Sequence, residues 1–312
     1  MLSGTFSENV SEQQPSLLSC KRSGYKMSAG ELFSKEYNVK YIISDHGAEI
    51  CEYTADEAGV EIPSYIEGKP VCSVMPYAYS NKSMRYVRFP ETLKKIDHHA
   101  FSGCGEMTGL IFPDSLEWIG NYAFYNCFGL RSVHLTACIS SIGFGAFKNC
   151  EHISEIIQDK LPDHDISIGS LLDDLDQRIH VIMRHIKDDG SISEGRVIFP
   201  EHYYEIVANV ASMCKQFEST EVGSGRYMRY CMGIKGVDYI KYDNMFYVLL
   251  RGDPFETVIT VASERLMYPY GLTLEAASRY REYIREHIDM ALEFFIDHDD
   301  MEKFSYILEL DL

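Results

Sequence analysis

Apolar positions in this chain recur with a period of 22 to 23 residues between Val74 and Ile157. Four aliphatic residues, Val74, Ile96, Ile119 and Ile142, each stand four residues ahead of an Ala-aromatic pair: Ala78-Tyr79, Ala100-Phe101, Ala123-Phe124 and Ala146-Phe147. Cys104, Cys127 and Cys150 keep the same register, three residues after the Phe. A unit of this length cannot bury its own apolar face, so neighbouring units must stack into a solenoid, whose open surface is commonly a binding surface. The pattern points to recognition rather than catalysis.

Upstream, Tyr37–Ile43 and Ala48–Tyr53 are short β-prone runs around an Asp45-His46-Gly47 turn and predict a hairpin that covers the first unit's free edge. Val60-Glu61-Ile62-Pro63 and Ile66–Val71 then read as a slightly longer opening unit. Residues 1–36, rich in Ser, Glu, Gln and Gly with little apolar periodicity, are expected to be flexible, and Met27 opens a more ordinary start at which translation could begin.

After Ile157 the spacing becomes helical. Leu171, Leu172, Leu175, Ile179, Ile182 and Met183 lie at helix-face intervals and predict a helix over Ile168–Ile186, ended by Lys187-Asp188-Asp189-Gly190. Tyr204, Val207, Val210, Cys214 and Phe217 predict another over Pro200–Phe217, and Val222–Arg226 reads as a loop. Phe255–Met267 stops before Tyr268-Pro269-Tyr270-Gly271. Thr273 can cap a long helix to about Ile296, with Ala277, Tyr280, Ile284, Ile288, Ala291, Leu292 and Phe295 inward, and Met301–Leu310 makes the last. Short loops between such helices suggest a bundle or solenoid-like helical pairs.

The string Ile62-Pro63-Ser64-Tyr65-Ile66-Glu67-Gly68-Lys69-Pro70-Val71, followed by units of the form Ile-x-x-x-Ala-Phe-x-x-Cys-x-x-Leu-x-x-Val-x-x-Pro, resembles the BspA-like class of leucine-rich repeats over about residues 50–158. The fullest unit runs from Ile119 to Val133. There are departures: Tyr79 replaces Phe in the first full unit, where one residue is missing and Asn81 takes the Cys slot; Met84 and Met107 stand for Leu; and Thr136 replaces Pro. The helical half resembles regions that accompany such repeats and regions of some ankyrin-like bacterial proteins, a likeness that implies no activity.

The resemblance implies one strand per unit in a short array of four or five units. Alternation along those strands then assigns faces. Val60 and Ile62, Val87 and Phe89, Leu110 and Phe112, Val133 and Leu135 point inward. The outward column reads Glu61, Arg88, Ile111, His134 and Ile157, flanked by Tyr86, Gly109 and Ser132. Tyr86, Arg88, Ile111, Ser132 and His134 form the candidate partner-binding strip, because Arg, Tyr and an exposed Ile are residue types that anchor interfaces.

These elements give an α+β chain in three parts: a flexible segment 1–36, a hairpin cap plus leucine-rich repeats 37–158, and an acidic α-helical domain 159–312. Of the formal charge of −18, −15 falls on residues 151–312, with 31 Asp and Glu against 16 Lys and Arg. Such acidity argues against nucleic acid and against anionic lipid as partners. No stretch has the roughly 20 apolar residues of a membrane span. The N-terminus lacks the basic start and apolar core of a secretory signal, so a cytoplasmic product is expected. Nine cysteines, three in an inward repeat slot, fit reduced packing thiols better than disulfides.

Candidate chemistry is sparse. Asp163-His164-Asp165 and Asp297-His298-Asp299-Asp300 are the densest potential ligands, but neighbours in one loop point apart, and both read as turns or caps. Lys187–Ser191 lacks the ligand offsets of a calcium loop. Asp173, Asp174, Asp176 and His180 share the expected helix, where Asp176 and His180 could touch and orient a general base; a surface pair is the plainer reading. Nucleophile-elbow, phosphate-loop and dinucleotide motifs are missing, so no catalytic residue, cofactor or metal is assigned. The expectation is a non-enzymatic protein-binding protein. The alternatives are an enzyme or effector with its active site in 159–312, and a surface adhesin.

Overall fold

The repeat owes its shape to a pair of left-handed residues that bracket each core ring. Two residues before the ring stand Tyr77, His99, Tyr122 and Gly145, and two after it Asn81, Gly103, Asn126 and Asn149, all with φ between 55° and 77°, values that Gly and Asn adopt most easily. Gly145 illustrates the constraint: a Cβ there would lie 2.4 Å from the Tyr122 ring. The equivalence also corrects the first unit. Asn81 occupies the left-handed position of Gly103, Asn126 and Asn149 rather than the Cys slot, so the missing residue falls after it.

In the computed structural model, which describes residues 31–162, 168–209 and 216–310, each coil contributes to two parallel ladders. One ladder joins Lys69–Val74, Lys95–Ile96, Trp118–Ile119 and Ser141–Ile142. The other runs from Gly59–Glu61 and Tyr86–Arg88 to Gly109–Ile111, Ser132–Leu135, Glu155–Lys160 and Ile179–Ile186, with the Thr108 amide bonded to the Arg85 carbonyl where the second and third coils meet. Val60, Leu110, Val133, Ile156 and Val181 lie on the core side and are buried, with Val87 half-buried against them. The solenoid therefore has six coils rather than four or five.

Between the ladders the repeat's rings form one column. Tyr53, Tyr79, Phe101, Phe124 and Phe147 stack with centroid spacings of 5.0, 5.0, 5.4 and 5.2 Å. Beside it runs a column of thiols: Cys104, Cys127 and Cys150 donate to the carbonyls of Tyr79, Phe101 and Phe124 at 3.1, 3.2 and 3.2 Å. Burial pushes the thiols of Cys104 and Cys150 up to about 11 and about 12, and that of Cys127 well above its ordinary value. These cysteines are free, as expected.

The expected N-terminal hairpin is present as Val39–Ser44 and Gly47–Tyr53, and the second strand adds in parallel to Lys69–Val74, covering the ladder's first edge. Leu32–Ser34 pairs with Val39–Tyr41, so part of the segment expected to be flexible is a strand; residues 1–30, Met27 among them, lie outside the described residues.

The expected helix over Ile168–Ile186 is a correction. Only Gly169–Leu172 (α1) is helical, and Ile179–Ile186 is the sixth coil's strand, paired in parallel with Glu155–Lys160 and antiparallel with Ile192–Phe199. Partner strands on both sides override the local helical spacing, and Ile179, Val181 and Met183 are buried at intervals of two. The Lys187–Gly190 turn is real but closes this hairpin. The expected helix over Pro200–Phe217 is likewise a pair of antiparallel strands, Tyr203–Asn209 and Gln216–Val222. Val222–Arg226 is only partly loop, because Gly225–Arg229 (α2) is helical.

After the small hairpin of Met232–Gly233 and Gly236–Val237 come Tyr239–Asn244 (α3), Phe246–Gly252 (α4), Phe255–Met267 (α5), Leu274–Glu286 (α6), Ile288–Asp297 (α7) and Met301–Glu309 (α8). The Thr273 hydroxyl accepts the Ala276 amide as cap of α6, but the long helix expected from it breaks at His287 into α6 and α7. α5 is buried on nearly all sides, and at its centre Arg265 makes a two-pronged pair with Asp243 of α3 at 2.8 and 2.9 Å, to which the Tyr280 hydroxyl donates at 2.8 Å. Buried charge of this kind is tolerated when fully bonded; Arg265 also donates to the carbonyls of Tyr268 and Tyr270.

Candidate functional site

The second ladder sets one outward side chain from each coil side by side. Its register places Glu61 beside Arg88, then Ile111 beside His134, Ile157, Ile182 and finally Arg196. Alternation sends these away from the buried Leu110, Val133, Ile156 and Val181.

At the N-terminal end the row is open. Arg88 Nη1 is 3.9 Å from Glu61 Oε1, both largely in solvent, a contact too exposed to hold either side chain firmly. Ile111 is 72% exposed. Tyr86 is exposed and leans over Gly59, where a Cβ would lie 2.1 Å from its ring. Ser132 is half-buried beside Gly109.

His134 differs from its neighbours. Its Nε2 lies 3.0 Å from Asp159 Oδ2, and Arg184 Nη1 lies 3.0 Å from Asp159 Oδ1 and 3.3 Å from the same imidazole nitrogen. The Arg184 contact with Oδ1 is an ion pair rather than a well-aligned hydrogen bond. The three groups come from successive strands, and they hold the imidazole half-buried in a fixed orientation.

At its far end the row meets the helices. The Arg196 guanidinium lies 3.7 Å from the centre of the Tyr268 ring, just beyond α5, and bonds Glu194. Arg178 donates to Thr257 of α5, and His180 is held below its ordinary value chiefly by burial, with Glu264 of α5 and Lys303 of α8 close by. The strip thus opens at Arg88 and ends against a helical wall.

The structure brings Ile111 and His134 into direct register, with Arg88 and Tyr86 on the strand before and Ser132 on the flanking column. Asp159, Ile182, Arg184 and Arg196 belong to the same face and lay outside the expected strip, because the repeat was expected to end at Ile157 and a helix to follow over Ile168–Ile186. The interval of 25 residues from Ile156 to Val181, close to the repeat period, was the available signal.

Other candidates fare differently. Asp176 lies 3.4 Å from His202 and is not paired with His180, which sits on a strand rather than a shared helix. Asp174 borders a hollow of about 400 Å³ with Phe144, Lys148, Asn149 and Asp173; burial raises its carboxyl to about 6, and its Oδ2 is buried without a hydrogen-bond partner. Asp300 caps α8 by accepting the Lys303 amide, and Asp189 accepts the Ser191 amide in the hairpin turn. Asp163-His164-Asp165 lies outside the described residues. Among the described residues no group of His, Cys, Asp and Glu is placed to hold a metal, and no helix is long and apolar enough to cross a membrane.

Residues 73–170 match the family model described as BspA type leucine rich repeat region, in six copies. The chain is similar to the leucine rich repeat protein of T. pallidum, at 26% identity, over 40% of this chain and 71% of that one, with a TM-score of 0.35. It is also similar to a leucine-rich repeat protein from Bacteroides capillosus, at 18% identity, over 42% of this chain and 99% of that one, with a TM-score of 0.37. No curated protein matches it.

Proposed function

We propose that this chain is a non-enzymatic, cytoplasmic binding protein whose partner is another protein, with the BspA-type leucine-rich repeat array of residues 73–170 supplying the binding face. The partner meets the outward face of the second ladder along Tyr86, Arg88, Ile111, Ser132 and His134. The observation that carries this reading is Ile111, a large apolar side chain held 72% exposed on a rigid strand between Arg88 and His134. An aliphatic anchor flanked by a mobile guanidinium and an oriented imidazole is the composition of an interface centre. Asp159 and Arg184 serve as positioning residues, because they fix the His134 ring before any partner arrives. In this reading the helical region supports the strip's closed end.

The test is capture of partners on the immobilised full-length protein, compared with an Arg88→Ala/His134→Ala variant and quantified by mass spectrometry. The reading expects at least one protein recovered by the native chain to be depleted about tenfold or more on the variant, the loss of one to two interface anchors. Identical recovered sets would retire the strip.

A further inference from the structure

The acidity of this chain has an interruption. Residues 224–252, which span α2, the small hairpin, α3 and α4, hold five Lys or Arg against two Asp, a balance of +3 in a protein of −18, which leaves −21 elsewhere. Two of these seven charges are used internally: Arg229 donates to the carbonyls of Pro200 and Gln177, and Asp243 holds Arg265. The surface of the segment therefore shows Lys235, Lys241 and Arg251, with Arg226 already 3.9 Å from Glu221, against Asp238, whose carboxylate accepts the Lys241 amide as the cap of α3.

Six large apolar side chains lie among these cations: Tyr227, Tyr230, Ile234, Ile240, Tyr247 and Leu250, each 47 to 67% exposed. Several of them are linked in space. Tyr227 and Tyr230 meet edge to face at 6.5 Å, and Lys241 Nζ donates to the Tyr230 carbonyl at 2.7 Å. Ile240, Lys241 and Tyr247 border one shallow hollow of about 490 Å³ together with Met245, Asn244 and Asp238, the last with its carboxylate engaged by the Lys241 amide. On α4 the Arg251 guanidinium lies 5.8 Å from the centre of the Tyr247 ring, and Leu250, three residues on from Tyr247, shares its face. Clustered exposed Tyr, Ile and Arg mark an interaction site rather than ordinary surface.

We infer that this island docks an acidic peptide segment of a partner protein that carries an apolar anchor. The anchor enters the hollow beside Ile240 and Tyr247, and flanking carboxylates meet Lys241 and Arg251. Charge complementarity selects this occupant: carboxylates gain charge-assisted contacts here, whereas a basic segment is repelled by Lys235, Lys241 and Arg251. The attraction is local, since charges separated by more than about 8 Å are largely screened at physiological salt. This surface is separate from the ladder strip, and its failure would leave that reading unaffected.

A random dodecapeptide library displayed on phage, panned against the immobilised full-length protein, tests the inference. Enriched sequences are expected to place Asp and Glu around an aromatic or aliphatic residue. Synthetic copies should bind in fluorescence polarisation and lose about tenfold or more in affinity on Lys241→Glu/Arg251→Glu, consistent with loss of close charge pairs. Ile240→Ser keeps every charge and should weaken the same peptides by removing the anchor's seat, while an unchanged melting temperature shows that each variant is folded. Absence of enrichment, enrichment of neutral or basic sequences, or equal binding to the variants would overturn the inference. A dimer of the native protein that Lys241→Glu/Arg251→Glu dissociates would assign the island to a second copy and overturn the peptide reading.

Discussion

Tyr242 closes the free edge of the sheet at Ile198: its hydroxyl donates to the Ile198 carbonyl at 2.6 Å and accepts the Ile198 amide at 3.1 Å. One side chain from α3 thus replaces a neighbouring strand at that rung, fully buried and with its ring edge-on to Phe199. An unpaired edge is otherwise a template for association with another chain.

Tyr242→Phe should therefore destabilise the protein by about 1 to 3 kcal/mol, the cost of leaving buried backbone groups unpaired. Urea unfolding measures the loss. Hydrogen exchange localises it: the Ile198 amide should exchange faster while the Val133 amide, deep in the array, keeps its rate. An unchanged Ile198 rate would show that Tyr242 does not close the edge.

The ring column makes a second prediction. Phe124 stacks on Phe101 and Phe147 and is wholly buried, so Phe124→Ala should cost about 3 to 5 kcal/mol from lost burial and the cavity left behind. Denaturant unfolding of the variant checks this, and a loss below 1 kcal/mol would mean that the column repacks freely.

The thiol column gives a third. With Cys104, Cys127 and Cys150 buried and their thiols held in the protonated form by burial, iodoacetamide at pH 8 should leave these three unmodified in the native protein while labelling Cys51 and Cys138, which are partly exposed. Peptide mapping reads the result. Prompt labelling of Cys127 would contradict the packing of the array.

A fourth concerns pH. The Asp174 carboxyl is raised to about 6, chiefly by burial, with the Phe147 amide and Lys148 partly offsetting it. Because its folded value exceeds the ordinary one near 3.8, the folded state binds the extra proton between about 4 and 6, and stability falls as pH rises through that window. Asp174→Asn removes the charged form. It should raise the melting temperature by a few degrees at pH 7.5 and leave it nearly unchanged at pH 4; an equal effect at both values would refute this origin.

The legibility of the chain follows from where neighbours decide structure. Val74, Ile96, Ile119 and Ile142 with their Ala-aromatic pairs announce the coils because the same contact repeats in each, and Thr273, Asp300 and the Tyr268–Gly271 stop mark helix ends through local chemistry. Outward residues Arg88 and Ile111 follow from alternation alone. The sixth coil was hidden because Leu171, Leu172, Leu175 and Ile179 carry helical spacing while Ile179–Ile186 answers to strands on both sides. His134 looked like any outward residue, since its restraint depends on Asp159 and Arg184 reaching it from strands 25 and 50 positions away. Such contacts leave no local periodicity to read.

The most direct test of the central claim places a photo-reactive p-benzoylphenylalanine at position 111, on the exposed strand, and a second at position 274, where Leu274 is exposed on α6, a helix that is no part of the ladder. The two proteins are irradiated in cells that produce them. The account predicts a discrete cross-linked protein from position 111 that Arg88→Ala/His134→Ala abolishes, and no such species from position 274. No cross-link from position 111, or one that the double substitution leaves unchanged, would contradict it.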